Sequence, residues 1–422
     1  MEKRHEIKLE NGLKLNFLSM PGTNTITLLV IFKTGSKYED RQNSGISHFL
    51  EHMFFKGTAK RPNTLNISSE LDAVGGEYNA FTGKESTGYW VKVNRNKLEV
   101  ALDVLSDMLL NSKFDAEEIK REKGVIIEEL NMYEDNPMLH IEDVFEHCLY
   151  GDTPAGWDVI GRKETINSFT REDFIKYFSS QYGVDSAVVV VAGNLEEKDE
   201  ALCSTYLSTF KKSSFVDKVK VDDRQTEPKL VLEYKKTDQY HLALGVRAYA
   251  AGHKDEIILK ILGLILGGGM SSRLFTTLRE REGLTYYVRT QIENYTDCGY
   301  LSTQAGLRLE EIEKAIKIIL HEYARLRNEL VQENELRKAK DMIAGRLAIS
   351  LESSDNMANW YAKQFLTRAE ALDSEEFLAQ VNQVTALDIQ RVAQDIFINE
   401  KLNLAIIGPS QDTEKFKALL SF

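Results

Sequence analysis

The sequence predicts an α+β fold made twice over, and three observations point to it. Strand-like apolar segments, Thr25 to Lys33, Tyr89 to Val93 and Ala187 to Ala192, lie among longer helical patterns such as Lys97 to Leu110 and Ile312 to Arg327. The chain also repeats itself: Ile166 to Phe174 (INSFTREDF) echoes Val381 to Ile389 (VNQVTALDI), and the apolar run ending at Gly193 echoes one ending at Gly408, both 215 residues on. Gly88-Tyr89 returns as Gly299-Tyr300 at an offset of 211, a difference that short loop changes absorb. Between the halves runs a polar stretch without a sustained apolar period, so the expected division is a first domain over 1–212, a linker over 213–228 and a second domain over 229–422. A chain of 422 residues, 42% hydrophobic with six prolines, is long enough for two compact cores.

In the first half, Gly45 to Phe55 is apolar at Ile46, Phe49, Leu50, Met53 and Phe54, close to the helical period, and Gly57 follows as a stop. On that helix stands His48-Phe49-Leu50-Glu51-His52. Residues four apart share a face, so both imidazoles can reach one cation, and Glu51, three on from His48, leans over the same spot. The order H-x-x-E-H is that of the inverzincins. A catalytic zinc takes three protein ligands and keeps a fourth position for water, so a further ring or carboxylate is required. Asp115 to Tyr133 reads as a second helix, acidic early, on which Glu122 and Glu129 lie seven apart and share nearly one face, while Glu128 points about 100° away.

From His48 to Glu129 the chain resembles the pitrilysin or insulinase family of zinc metallopeptidases, which includes the mitochondrial processing peptidase. Gly45 to Thr58 (GISHFLEHMFFKGT), Gly75 to Thr87 (GGEYNAFTGKEST) and Arg121 to Glu129 (REKGVIIEE) resemble, in order and spacing, the family's zinc helix, substrate-edge strand and third-ligand helix. The family's distal ligand lies about 75 to 77 residues past the second histidine; Glu128 and Glu129 both satisfy that spacing, and the family register, with Glu122 as the other acidic position, selects Glu129. The resemblance implies that His48, His52 and Glu129 hold one Zn²⁺ per subunit and that Glu51 is the general base. It also implies that Glu122 supports a ligand from behind, and that Gly76, Asn79 and Ala80 contact a peptide added as an edge strand. The implied fold is two similar domains, each a mostly antiparallel sheet packed with helices.

In the second half, Leu278 to Tyr286 (LREREGLTY) is similar to the family segment whose Arg and Tyr act on the scissile carbonyl, here Arg279 and Tyr286. The counterpart of the zinc helix, Leu262 to Phe275 (LGLILGGGMSSRLF), has no histidine and so no such metal site. Its Gly267-Gly268-Gly269 run lacks the following Gly-Lys-Ser/Thr of a phosphate loop, leaving a closely packed or flexible glycine turn. One departure from the family is Thr153-Pro154-Ala155-Gly156, where relatives carry His-Pro-Leu-Gly; it touches no expected ligand.

Net charge is −12 with acidic residues dispersed and no basic stripe, which argues against nucleic acid. Three cysteines without ligand spacing, no apolar leader and no bilayer-length apolar run suggest a cytoplasmic protein without disulfides or membrane insertion. The expected activity is zinc-dependent endopeptidase action on unstructured peptides; the alternatives are a dedicated leader-processing peptidase and a non-catalytic scaffold subunit. Larger relatives enclose the substrate with four domains, so a chain of this size implies a homodimer, with a heterodimer alongside a paralogue as the alternative.

Overall fold

The computed structural model of the chain describes residues 3–368 and 370–422. These form two compact units, neither of them one continuous stretch. The first comprises Met1–Leu130, Asp158–Val219 and Ala348–Ala371, the second Asn131–Trp157, Lys220–Leu347 and Leu372–Phe422.

The first unit is built on six strands, β1 (Lys3–Lys8), β2 (Lys14–Ser19), β3 (Thr25–Phe32), β4 (Glu77–Thr82), β5 (Thr87–Asn94) and β6 (Ala187–Gly193), in the order β1-β2-β6-β3-β5-β4. Only β2 and β6 run parallel; β4 is an edge. The second unit has five, β7 (Lys229–Tyr234), β8 (Gln239–Arg247), β9 (Thr285–Asn294), β10 (Gly299–Arg308) and β11 (Leu402–Gly408), in the order β7-β11-β8-β10-β9 with only β7 and β11 parallel. Apart from β1, the two orders are the same, strand for strand. The expected α+β class with mostly antiparallel sheets is what the chain forms, and the strand ends fall within two residues of those read from the apolar pattern.

Five helices of the early chain matter below: α1 (Ile46–Phe54), α2 (Thr64–Asp72), α3 (Leu98–Asn111), α4 (Ala116–Asp135) and α5 (Pro137–Tyr150). On one face of the first sheet α1 and α3 pack through Phe49, Leu50, Phe54, Leu102 and Leu105. The other face, Leu29 and Ile31 of β3 with Val190 and Ala192 of β6, is covered by the helix Ser354–Thr367 through Met357, Ala358 and Tyr361. The second sheet gets the corresponding cover from α5, whose Ile141, Phe145 and Leu149 meet Ala243, Tyr300 and Ile407.

These two helices explain why the units depart from the contiguous division at 1–212 and 229–422. Each half of the chain contributes one helix to the other half's sheet. A sheet buried on both faces reads as a near-continuous apolar run, and β3 (TITLLVIF) and β11 (LNLAIIG) do so because of this exchange. The stretch 213–228, expected as a linker, has almost no regular structure and is shared between the units, with Gln181 donating to the Val216 carbonyl and Gln225 donating to that of Leu402.

Behind α1, the turn Thr58 to Arg61 is locked by a guanidinium that is 1% exposed. Arg61 donates to Glu70 of α2 at 2.6 Å and to Asp103 and Asp107 of α3 at 2.6 and 2.9 Å. Removing it takes the cation from the buried Asp107 carboxylate and leaves it the neutral Thr58 hydroxyl and Asn111 amide as donors. Arg61→Met is therefore expected to cost about 3 kcal/mol in urea unfolding, the lower end for a broken buried ion pair because Glu70 is partly solvated, with the slope unchanged.

Candidate metal centre

Helix α1 starts without a cap of its own. Gly45 occupies its N-cap position at φ 94, a left-handed conformation, and a Cβ there would lie 2.3 Å from the Ile160 carbonyl oxygen. The cap comes instead from Glu39, whose buried carboxylate accepts from Gly45 N–H at 2.7 Å and Ser47 N–H at 2.8 Å. Burial pushes the Glu39 carboxyl up to about 7 against those two hydrogen bonds. The Ser47 hydroxyl continues the network to the Tyr177 hydroxyl at 2.8 Å.

With its start fixed, α1 presents His48, Glu51 and His52 on one face, the imidazole centroids 4.7 Å apart. Helix α4 brings Glu129 up to them. Its Oε2 lies 3.8 Å from His48 Nε2 and 3.5 Å from His52 Nε2, and one ligand atom from each of the three residues falls within a 4.8 Å group. Of the two glutamates that spacing allowed, Glu129 is the one whose carboxylate falls in this group, and Glu128 is exposed.

Behind His52, Glu122 Oε1 meets Nδ1 at 2.9 Å, and Lys56 Nζ meets Oε2 at 2.6 Å. Burial opposes the Glu122 carboxylate, but the hydrogen bonds from His52 and Lys56 outweigh it and hold the carboxyl below the usual range. An ionised carboxylate only accepts, so Nδ1 of His52 donates in this contact and Nε2 is the nitrogen that faces Glu129. His48 is driven neutral by burial and by the neighbouring His52, down to about 3.

This donor set fits zinc. Two imidazole nitrogens and a carboxylate oxygen converge with separations too long for hydrogen bonds, and ligand atoms around a tetrahedral zinc stand about 3.3 Å apart. His48, His52 and Glu129 are the residues that would hold it. Among the described residues, this is the one group of three or more His, Cys, Asp or Glu side chains so disposed.

Glu51 is not part of the triad. Its Oε2 accepts from the Thr82 hydroxyl at 2.6 Å, at the end of β4. Burial raises its carboxyl, the Thr82 hydrogen bond and His52 lower it, and Glu129 adds to the rise. Asn79 and Ala80 lie on the same edge strand, where Asn79 Oδ1 holds the Ala80 N–H at 2.9 Å. Gly76 lies outside the strand: its N–H returns to the Leu71 carbonyl at 2.9 Å and closes the end of α2, so this expected contact residue belongs to the turn before β4.

Arg279 and Tyr286 belong to the second unit, where they meet one another. Arg279 stands on a π-helical turn, Phe275–Arg281, with its guanidinium 5.1 Å from the centre of the Tyr286 ring, and Tyr286 is 80% exposed. Glu39, Lys56 and Thr82 were not singled out in the sequence. No local pattern marks them, because each acts on a partner that only the fold brings near.

A single His₂-carboxylate site with an adjacent carboxylate on an H-x-x-E-H helix is the centre of a metallopeptidase type, and comparison with known proteins agrees. The model of the insulinase family, peptidase family M16, matches residues 17–162, and that of the peptidase M16 inactive domain matches residues 168–343. An uncharacterized zinc protease of Bacillus subtilis, YmxG, is 34% identical over 401 residues, spanning 95% of this chain and 97% of its own length. One from Rickettsia felis is 33% identical over 421 residues, spanning 96% and 97%. Among solved structures, a protease from Helicobacter pylori has a TM-score of 0.89 at 24% identity, covering 96% of this chain and 100% of that one, and thus shares the fold. The chain belongs to the insulinase family of peptidases.

Glu122 engages Nδ1 of His52 and leaves Nε2 as the nitrogen facing Glu129. Glu122→Gln is expected to weaken zinc about tenfold in chelator competition while leaving one zinc bound per chain, since losing such a supporting carboxylate costs about 10- to 100-fold.

Proposed function

We propose that the protein is a zinc-dependent endopeptidase that hydrolyses peptide bonds in unstructured peptides or small polypeptides. The observation that carries this is the placement of Glu51 on the same helix face as His48 and His52, beside but outside the group they form with Glu129. A zinc ion in that group supplies Lewis-acid chemistry, acidifying water and polarising a carbonyl. Glu51 takes the proton from the attacking water through the oxygen that Thr82 leaves free, and returns it to the departing amine. Its burial, which raises the carboxyl, suits a group that must hold that proton in between.

The substrate is taken as an added strand along β4, the open edge of the first sheet. Backbone pairing of this kind reads extension, so a folded protein whose strands are already paired is excluded. Asn79 lets go of the Ala80 N–H as the peptide pairs there. Arg279 and Tyr286 are assigned to hydrogen bonding with the substrate carbonyl on their motif resemblance, supported by their pairing on one exposed surface. A homodimer, each subunit supplying both sets of residues, belongs to the same reading. No helix among the described residues is long and apolar enough to cross a membrane.

A quenched fluorescent peptide assay with the zinc-loaded protein tests the proposal. Glu51→Gln is expected to lower kcat about a thousandfold while keeping wild-type zinc content. If wild type and variant are equally inert and both hold zinc, the peptidase reading fails.

A further inference from the structure

We infer that Thr82 is the positioning residue for Glu51, its hydroxyl fixing which carboxylate oxygen faces the metal group and so tying the base to the strand on which the peptide pairs. The inference rests on the peptidase reading and goes beyond it in naming what aims the base. Glu51 reaches its place on a flexible stem, and an unrestrained glutamate side chain loses rotamer freedom when it is ordered. The Thr82 Oγ1 contact at 2.6 Å is the one hydrogen bond on Glu51 among the described residues, and a hydroxyl facing an ionised carboxylate must donate. With Oε2 so engaged, Oε1 is the oxygen left for water.

The donor is itself held firmly. Threonine is stiff at χ1, and Thr82 closes β4 opposite Thr87 of β5, just before the turn in which Gly83 N–H meets the Ser86 carbonyl at 2.8 Å. That turn is pinned from outside: Ser36 N–H donates to the Gly83 carbonyl at 3.2 Å and Lys37 N–H to the Lys84 carbonyl at 2.8 Å. Gly35 lies so close that a Cβ on it would stand 2.1 Å from the Gly83 carbonyl oxygen. The same short segment then supplies Glu39, which caps α1. One stretch, residues 35–39, therefore anchors both the helix that carries Glu51 and the strand end that orients it.

Two variants separate aiming from folding. Thr82→Val keeps the shape and β-branching and removes the hydroxyl; Thr82→Ser restores the hydroxyl. We expect Thr82→Val to lower kcat about ten- to a hundredfold, with KM and zinc affinity within twofold of wild type, and Thr82→Ser to recover most of the rate. Crystal structures of the full chain supply a readout independent of turnover: Glu51 should occupy one position in wild type and Thr82→Ser and spread over several in Thr82→Val. A Thr82→Val enzyme with wild-type kcat, or with Glu51 unmoved, overturns the inference, as does a parallel loss of zinc affinity and kcat. If wild type does not cleave peptides, the peptidase reading fails, and the Glu51 positions alone decide whether Thr82 orients that side chain.

Discussion

Three of the groups at the metal centre stand on α1, a helix of nine residues, so the site depends on how that helix is held at both ends. At its start the buried Glu39 carboxylate takes two backbone N–H groups that would otherwise be orphaned, in place of a local cap. Just beyond its end Lys56 pairs with Glu122, which also grips His52, so helix α4 is tied to α1 by one carboxylate that meets both. Arg61 then fastens the following turn to α2 and α3. A helix this short has little stability of its own in water, and these long-range polar contacts, with the burial of Phe49, Leu50 and Phe54, give it a fixed position.

The second unit shows the same topology put to a different use. Its helix Glu256–Gly267 occupies the place of α1 in the order of elements, but its residues are almost all buried and it packs against the edge strand β9. Glycine makes that approach possible: a Cβ at Gly263 would meet Ile292 at 2.7 Å, and one at Gly267 would meet Thr290 at 2.2 Å. The glycine run is close packing. In the first unit the corresponding helix and edge strand meet through the Glu51–Thr82 hydrogen bond instead, a polar contact where the second unit has glycine against side chain.

How much of this was legible in the sequence follows from the range of each interaction. His48, Glu51 and His52 could be read directly, because a helix face is set by spacing alone, and the ends of β3, β5 and β6 could be read because apolar runs stop where burial stops. Glu129 needed the resemblance to separate it from Glu128, since either spacing was allowed; in the structure Glu129 is the one grouped with His48 and His52. Glu39 and Thr82 were invisible because their partners are other segments' backbone and side chains, six to 31 residues away, with no periodic signature. Gly76 was placed on the strand when it closes a helix. The exchange of α5 and the helix Ser354–Thr367 left only an indirect trace, the absence of polar alternation in the central strands, which says that both faces are covered but not by which helix.

The central claim is that two imidazoles and one carboxylate of the first unit form a zinc site. X-ray absorption spectroscopy of the protein reconstituted with one zinc per chain tests this most directly. The account predicts only nitrogen and oxygen neighbours at about 2.0–2.1 Å, with multiple scattering from two imidazoles that falls to one in His52→Ala. A sulfur neighbour at about 2.3 Å, or a spectrum unchanged in that variant, would contradict it.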